Sequence, residues 1–108
     1  MKPDQILRLD PVVHAPIRLA VLSVLVTVEN ASFTFLKEAT RATDGNLNTH
    51  LTKLEDKGYI SIEKTYKGKK PLTLCSITAK GREAFLNYIN QLESIVRGQK
   101  SDHNKMNE

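Results

Sequence analysis

Two stretches of the sequence carry side chains that could bind another molecule. Residues 42–59, ATDGNLNTHLTKLEDKGY, place Asn46, Asn48 and Thr49 between leucines at helical spacing. Amides and hydroxyls donate and accept hydrogen bonds, yet they favour a helix less than Glu, Lys or Ala would. Residues 64–70, KTYKGKK, hold four lysines and no acid. These residues therefore favour hydrogen-bonded recognition and binding of an anion.

No other group of residues has the spacing of a catalytic or metal site. The single cysteine, Cys75, excludes an internal disulfide and a multi-cysteine zinc site. His14 and His103 have no metal-like neighbours, and the acids show no paired spacing for acid–base chemistry. The sequence contains no glycine-rich phosphate loop and no nucleophile elbow. We therefore expect a protein that is not an enzyme and that has no cofactor and no metal ion.

Composition limits the class of protein further. A chain of 108 residues is one domain by length, and its hydrophobic content of 40% is enough for a modest core. The net charge of +4 and the pI near 9.3 suit a polyanionic partner. The longest apolar run, LAVLSVLVTV, is too short to span a bilayer. One cysteine and no signal peptide predict a cytoplasmic protein without a membrane partner.

The elements that must position the two stretches begin after a short lead-in. We predict a lead-in over residues 1–9, one folded domain over 10–98 and a flexible polar tail over 99–108. Asp10 can cap a short helical turn, and a longer helix runs from Pro16 to about Val28. Its β-branched residues also permit a buried strand, but the proline start and the helical spacing decide for helix. This helix is apolar nearly all round, so it needs cover on two sides.

Two further helices follow. Ser32 or Thr34 can cap a short helix over residues 35–40. The next helix runs to about Lys57, and either Thr43 or Asp44 is its N-cap. Gly58 is the expected left-handed terminator, with Tyr59 folding back in a Schellman ending.

After Gly58 the period changes to that of a strand. YISIEKTY and PLTLCSIT alternate on either side of a basic turn centred on Gly68, which predicts a hairpin with a positively charged tip. Cys75 could be a redox switch or, alternating with Ile77, a small buried hydrophobe. Thr78 caps a final helix with a wide apolar stripe. Gly81 in its first turn is unfavourable by about 1 kcal/mol relative to alanine, for which close approach to the strands is one explanation.

This order of elements resembles a winged helix-turn-helix domain, a mostly α fold with a small β-hairpin wing. The segment LNTHLTKLEDKGYI is similar to the recognition helix of MarR and ArsR transcription regulators, and SITAKGREAF is similar to their passage from wing to helix. The resemblance is closest to small stand-alone regulators of this superfamily. ArsR metal sensors carry a cysteine motif in the recognition region, and this chain has none there. MarR proteins have a longer N-terminus, so a small-molecule effector is left open but is not indicated.

The resemblance implies binding to double-stranded DNA, and the helix that contains Asn46 agrees with it. On a helical wheel at about 100° per residue, Leu47, Leu51 and Leu54 cluster and Thr49 lies opposite. Asn46 and Thr49 are therefore the expected base-reading residues. The expected contacts to the DNA backbone are Arg41, Thr43, Gly45, Lys53, Lys64, Lys67, Lys69 and Lys70.

These residues also have ordinary structural explanations. Asn46 could serve as a cap, and lysines often solvate a hairpin tip. His50 beside the leucines suits packing better than base contact or metal binding. Glu55 and Asp56 would repel phosphate and limit how deeply the helix enters a groove.

The apolar surfaces of the first long helix and the last helix predict a homodimer that uses both. The expected interface residues are Ile17, Val21, Val24, Leu86, Ile89, Leu92 and Val96. A two-fold dimer would bind a pseudo-palindromic operator, with repression as the expected effect. The alternative is a winged-helix module for protein–protein interaction without specific DNA binding.

Overall fold

A computed structural model describes residues 3–106, and the side chains up to residue 98. The fold is mostly helical with a small antiparallel sheet of three strands in the order β1-β3-β2, which confirms the predicted fold class. The elements in chain order are α1 Asp4–Leu7, α2 Pro16–Leu25, β1 Ala31–Ser32, α3 Phe33–Thr40, α4 Asp44–Asp56, β2 Ile60–Lys67, β3 Lys70–Ile77 and α5 Ala79–Met106.

The N-terminal segment is more closely integrated than the predicted lead-in. It contains the short helix α1, and Leu9 is only 3% exposed because it packs into the main core. The Asp10 carboxylate accepts the Val12 N–H at 2.9 Å and so caps the following turn, as the sequence indicates. The Tyr59 hydroxyl donates to the second oxygen of the same carboxylate. Asp10 thus connects the N-terminal turn to the chain after α4.

Helix α2 begins at Pro16, as predicted, but ends at Leu25, three residues before the predicted Val28. The last turn is tightened because the Thr27 N–H and the Thr27 hydroxyl both donate to the Val24 carbonyl, at 3.0 and 2.7 Å. Helices α3, α4 and α5 and strand β3 all contact α2. Its own chain therefore supplies most of the cover that the sequence analysis assigns in part to a second subunit.

Local caps fix both helices of the helix-turn-helix. The Ser32 hydroxyl accepts the Phe35 N–H at 3.0 Å, so Ser32 and not Thr34 caps α3. The Thr43 hydroxyl accepts the Asn46 N–H at 3.2 Å, which decides for Thr43 over Asp44 as the N-cap of α4. Asp44 then lies in the first turn, where its charge is favourable to the helix dipole.

Helix α4 ends in the predicted Schellman motif. The Gly58 N–H donates to the Glu55 carbonyl at 2.8 Å, and the Tyr59 N–H donates to the Leu54 carbonyl at 2.9 Å. Gly58 has a φ of 80°, which glycine adopts without a Cβ clash. The chain leaves this turn directly into β2.

The hairpin forms where the sequence predicts it, but exposure alternates only from Ile60 to Glu63 in β2, and in β3 every residue from Leu72 to Ile77 is at least half-buried. Gly68, with a φ of 65°, and Lys69 form the loop between β2 and β3. Ile62 pairs with Cys75 on the face that packs against the helices, and Ala31 of β1 flanks Cys75 on its other side. Strand β1 is absent from the sequence prediction because two residues are too few to display a period of two.

The passage into α5 is packed tightly. The Thr78 hydroxyl accepts the Gly81 N–H at 3.0 Å, as predicted for a cap, and donates to the Gly58 carbonyl at 2.6 Å. A Cβ on Gly81 would lie 2.0 Å from the Tyr59 carbonyl oxygen, so close approach to the start of the wing explains this glycine.

Helix α5 also extends beyond its predicted end. Its backbone is helical to Met106, past the boundary at residue 98 that the sequence analysis sets for the domain. Residues 107–108 of the predicted polar tail lie outside the described residues. The flexibility of residues 99–108 stays a prediction.

Candidate nucleic-acid interface

Helix α4 has one buried and one exposed face, as the helical wheel predicts. Leu47, Leu51 and Leu54 are buried in the core. On the opposite side the residues expected to meet DNA are exposed: Gly45, Asn46, Thr49 and Lys53. The leucines therefore fix the rotation of α4, and this rotation presents its short polar side chains to solvent.

The Asn46 side chain is not used as a cap. Thr43 caps the helix, and Asn46 contributes only its backbone N–H to that interaction. Within the described part of the chain its side-chain amide has no hydrogen bond. An amide that offers both a donor and an acceptor at the exposed start of a helix can pair in two-point fashion with an adenine edge.

Thr49 has a more limited hydrogen-bonding capacity than its residue type suggests. Its hydroxyl donates to the Gly45 carbonyl at 2.9 Å, so its proton is committed within α4. The oxygen lone pairs and the methyl group remain available to a ligand. Thr49 can therefore accept a hydrogen bond or contact a thymine methyl, but it does not donate in this conformation.

An ion pair neutralises the acid at the start of α4. Lys37 Nζ of α3 lies 2.7 Å from the Asp44 carboxylate, with the Lys37 side chain partly exposed and the Asp44 side chain largely exposed. An unpaired carboxylate here would repel a phosphate. Lys37 therefore offsets a negative charge at the exposed start of α4.

The four wing lysines are all exposed but do not form one cluster. Lys67 and Lys70 are directly paired across the end of the hairpin, and Lys69 lies in the loop between them. Lys64 is on the face of β2 that points toward the helices. The hairpin thus presents three lysines at its tip and one beside α4.

A groove of about 530 Å3 separates α4 from the hairpin at Lys64. Asn48 and Thr52 of α4 line one side, Lys64 and Thr73 line the other, and Leu51 lies among the remaining lining residues. Thr73 is directly opposite Lys64 in the strand register. Thr73 is not among the predicted site residues, and only the register of the hairpin could have indicated it.

His50 takes part in a contact that anchors α4. Arg18 of α2 donates from Nη1 to His50 Nδ1 at 2.9 Å and from Nε to the Val12 carbonyl at 2.7 Å. A guanidinium can only donate, so His50 Nδ1 must accept and the ring is neutral. Partial burial, followed by the positive charges of Arg18 and Lys53, lowers the pKa of His50 below its ordinary value of 6.5. The predicted packing role of His50 is thus a hydrogen-bonded one.

Acidification is expected to destabilise the protein through His50. Because its pKa is lowered in the folded state, the unfolded chain binds the proton more readily. The contribution of His50 to the free energy of unfolding is therefore fully present above pH 6.5 and is lost as the pH falls below that value. Urea unfolding at about pH 7.5 and about pH 5.5 should show a smaller loss for His50→Gln than for the wild type. An equal loss would assign the pH dependence to other groups.

Cys75 does not have the properties of a redox switch. It is fully buried in the core. Burial, with a smaller effect from the charge of Glu55, raises the pKa of its thiol from 9.0 to about 11. The reactive form of cysteine is the thiolate, which is scarce at neutral pH when the pKa is this high. Of the two alternatives left open by the sequence, the small buried hydrophobe agrees with the structure.

The predicted dimer residues divide into three groups. Val21 has no exposed surface, so its prediction as an interface residue is wrong: it packs in the core of its own subunit. Ile17, Val24 and Leu92 are half-buried against the same core. The remaining three form an exposed apolar face along α5, at 48% for Leu86, 38% for Ile89 and 52% for Val96.

The described residues contain neither a membrane-spanning helix nor a group of metal ligands. No helix among residues 3–106 is long and apolar enough to cross a membrane. In the same part of the chain, no three His, Cys, Asp or Glu residues are grouped so that they could hold a metal ion.

Comparison with known proteins agrees with the geometry of α4 and the hairpin. The chain matches the winged helix DNA-binding domain family over residues 17–96. It is 38% identical over 84 residues to the uncharacterised protein MJ0432 of Methanocaldococcus jannaschii, a match that covers 78% of this chain and 91% of that protein.

Solved structures share the fold. A transcriptional regulator homologue from Pyrococcus horikoshii is similar with a TM-score of 0.81 and 23% identity, over 89% of this chain and 97% of that one. A MarR-family protein from Enterococcus faecalis is similar with a TM-score of 0.67 and 17% identity, over 98% of this chain and 92% of that one.

The family and the fold place the chain among DNA-binding proteins and not among enzymes. The resemblance that the recognition-helix and wing segments indicate is therefore confirmed. Helix α4 has an exposed polar face, and a lysine-tipped hairpin lies beside it. Because the family match also covers most of its length, the chain belongs to the winged-helix DNA-binding domain family.

Proposed function

We propose that the protein is a transcription regulator that binds double-stranded DNA as a homodimer, at a pseudo-palindromic operator, and represses transcription there. The observation that carries this proposal is the rotation of α4. Its three leucines are buried while Asn46 and Thr49 face solvent beside a basic hairpin. In a winged helix this is the arrangement that enters a major groove.

The two elements have different tasks in this proposal. The start of α4 lies in the major groove, where the Asn46 amide pairs with an adenine and Thr49 accepts a hydrogen bond or contacts a thymine methyl. The backbone contacts come from Arg41, Thr43, Gly45 and Lys53 around α4 and from the wing lysines, and these position the helix without reading sequence.

Base reading by Asn46 predicts a loss that depends on sequence. Asn46→Ala should weaken binding to the preferred site by about 1–3 kcal/mol and relax the base preference at one position. The preferred site is first selected from a random DNA pool, and titrations on that site and its single-base variants measure the change. Asn48→Ala is the matched control, because it removes the same amide from the flank of the same helix and should leave base preference unchanged. Equal losses by Asn46→Ala on all sequences would contradict base reading.

The homodimer is proposed to form mainly through the exposed apolar face of α5. Leu86→Glu and Ile89→Glu should shift the protein from dimer to monomer in light scattering, because each buries a charge in the interface. Leu7→Glu changes an apolar residue that is 84% exposed near the N-terminus and serves as the control. A wild type that is monomeric at micromolar concentration, or variants that remain dimeric, would contradict this interface.

Two such recognition helices, related by a two-fold axis, would meet half-sites about one turn of DNA apart. Repression then follows if the operator overlaps a promoter, which transcription in vitro on the selected site would test. The expected location is the cytoplasm. One structural neighbour, NadR, was solved in complex with 4-hydroxyphenylacetate, but none of the residues that the structure describes here indicates an effector. If random duplex DNA fails to bind at low salt, the protein-interaction alternative is favoured.

A further inference from the structure

Six side chains of α5 lie at the spacing of a helix–helix seam. They recur at alternating intervals of three and four residues, and all are exposed: Ala79, Arg82, Leu86, Ile89, Glu93 and Val96. The buried residues Phe85, Tyr88 and Ile95 meet the core on a different side of the helix. Alternating intervals of three and four residues are the pattern by which two helices pack along their length. We call this exposed set of six residues the α5 seam.

The α5 seam is complementary to itself when its direction is reversed. Its residues form pairs at equal distances from a point between residues 87 and 88: Leu86 with Ile89, then Arg82 with Glu93, then Ala79 with Val96. A two-fold axis at that point makes the partner helix antiparallel and places each residue opposite the other member of its pair. Leucine then meets isoleucine, and on both sides of this apolar centre an arginine meets a glutamate.

The two charged residues of the seam can each bind across an interface. Arg82 donates from Nη1 to the Val26 carbonyl at 3.3 Å, and a guanidinium has further N–H groups for other acceptors. Glu93 is paired with Arg97 of the same helix. An exposed pair of this kind is weak, and a carboxylate can accept from a second guanidinium. Arg82 of one subunit and Glu93 of the other can therefore form an ion pair in addition to these contacts.

We propose that Arg82 and Glu93 select a second copy of this chain and orient it antiparallel along α5. This inference rests on the proposed homodimer, and it adds the residues that choose the partner and its direction. A parallel pair would set Arg82 against Arg82 and Glu93 against Glu93, and like charges that face each other across an interface are unfavourable. Leu86 and Ile89 supply apolar contact that many helices could satisfy, whereas the two charges specify this one.

The antiparallel orientation also suits two recognition helices that enter successive major grooves. The Thr78 hydroxyl, at the start of α5, donates to the Gly58 carbonyl at the end of α4, so each α4 is held at the start of its own α5. At about 1.5 Å per residue, the two Thr78 residues would lie about 28 Å apart along an antiparallel pair. In a parallel pair they would lie side by side, about 10 Å apart. Only the antiparallel separation approaches the turn of about 34 Å between half-sites.

Charge reversal distinguishes this register from a general apolar contact. Arg82→Glu places two glutamates opposite each other at both charged positions of the dimer, and Glu93→Arg places two arginines there. Each variant alone should raise the dissociation constant of the dimer about 10- to 100-fold in sedimentation equilibrium at low salt, because two contacts change from attraction to repulsion. An equimolar mixture of the two variants should form a heterodimer with nearly wild-type affinity. The double variant should likewise restore the homodimer.

Three controls accompany the measurement, which uses the full chain without DNA. Glu63→Arg makes the same change of net charge at an exposed position of β2 and should leave the dimer unchanged. A salt concentration of about 1 M should reduce the effect of each reversal, because salt screens exposed charges. The mixture also tests folding, since two variants that cannot fold would not associate when they are combined.

Each contrary result has a distinct meaning. If the wild type is monomeric at micromolar concentration, the proposed homodimer itself is wrong. If the wild type is a dimer and neither reversal weakens it, the homodimer stands, but the antiparallel register with its ion pairs is wrong. If both reversals weaken the dimer and the mixture does not associate, the two charges act within each subunit and do not select the partner. None of these readouts involves DNA, so they are separate from the test of DNA binding.

Discussion

Replacing Lys64, Lys67, Lys69 and Lys70 together with glutamine is expected to lower affinity for duplex DNA by on the order of 10³ per subunit at about 0.1 M salt. Each lysine that neutralises a phosphate releases a condensed counterion and contributes about 0.9 to the salt slope. The four side chains are exposed, with three at the tip of the hairpin and Lys64 beside α4. The loss should be nearly the same on every sequence, because phosphates carry no base identity.

The wing variant should remain folded, so the loss of binding can be measured on an intact protein. Lys67 and Lys70 are directly opposite in the hairpin, and like charges in this position are mutually destabilising. Their removal is therefore neutral or slightly stabilising, which thermal unfolding would check. Arg8→Gln removes one positive charge outside the wing, so it measures how much the salt slope changes with net charge alone. If it flattens the salt slope as much per charge as the lysines do, the effect belongs to net charge and the wing does not contact DNA.

Gly81→Ala is expected to be the most destabilising conservative change in the described part of the chain, by about 3 kcal/mol or more. The new Cβ would lie 2.0 Å from the carbonyl oxygen of Tyr59 and 2.7 Å from its carbonyl carbon. Neither backbone can move freely. The Tyr59 carbonyl accepts the Thr78 N–H at 3.0 Å, and the Thr78 hydroxyl bonds both Gly58 and Gly81. The two polypeptide segments must separate, and the entry to the wing separates with them.

The measurement is thermal or urea unfolding, with an expected fall in Tm of at least about 12 °C. Gly98→Ala is the matched control in the same helix. A Cβ at Gly98 meets nothing within 4 Å, so alanine there should raise stability by about 0.5–1 kcal/mol through helix propensity. A Gly81→Ala protein as stable as the wild type would show that the contact with Tyr59 relaxes without loss.

The sequence by itself determined those features whose causes lie within a few residues along the chain. Caps and terminators act over two to four residues, so the end of α4 at Gly58 and the hairpin loop at Gly68 could be read directly, and the start of α4 could be limited to Thr43 or Asp44. The helical spacing of the apolar residues also determined which face of α4 is buried. Three leucines at a spacing of three to four residues fix which side is buried, and Asn46 and Thr49 follow on the other side.

Tertiary structure decided what depends on partners distant in sequence. Val21 is a core residue because α3, α4, α5 and β3 surround its helix, and an apolar pattern alone does not distinguish them from a second subunit. His50 obtains its partner from α2, 32 residues earlier in the chain. Gly81 is required because the Tyr59 carbonyl passes close beside it, and the residues next to Gly81 in sequence do not indicate this contact. Local hydrogen bonds and the helical or strand period depend on residues that are close together in sequence. Burial and close approach depend on how separate elements pack against each other.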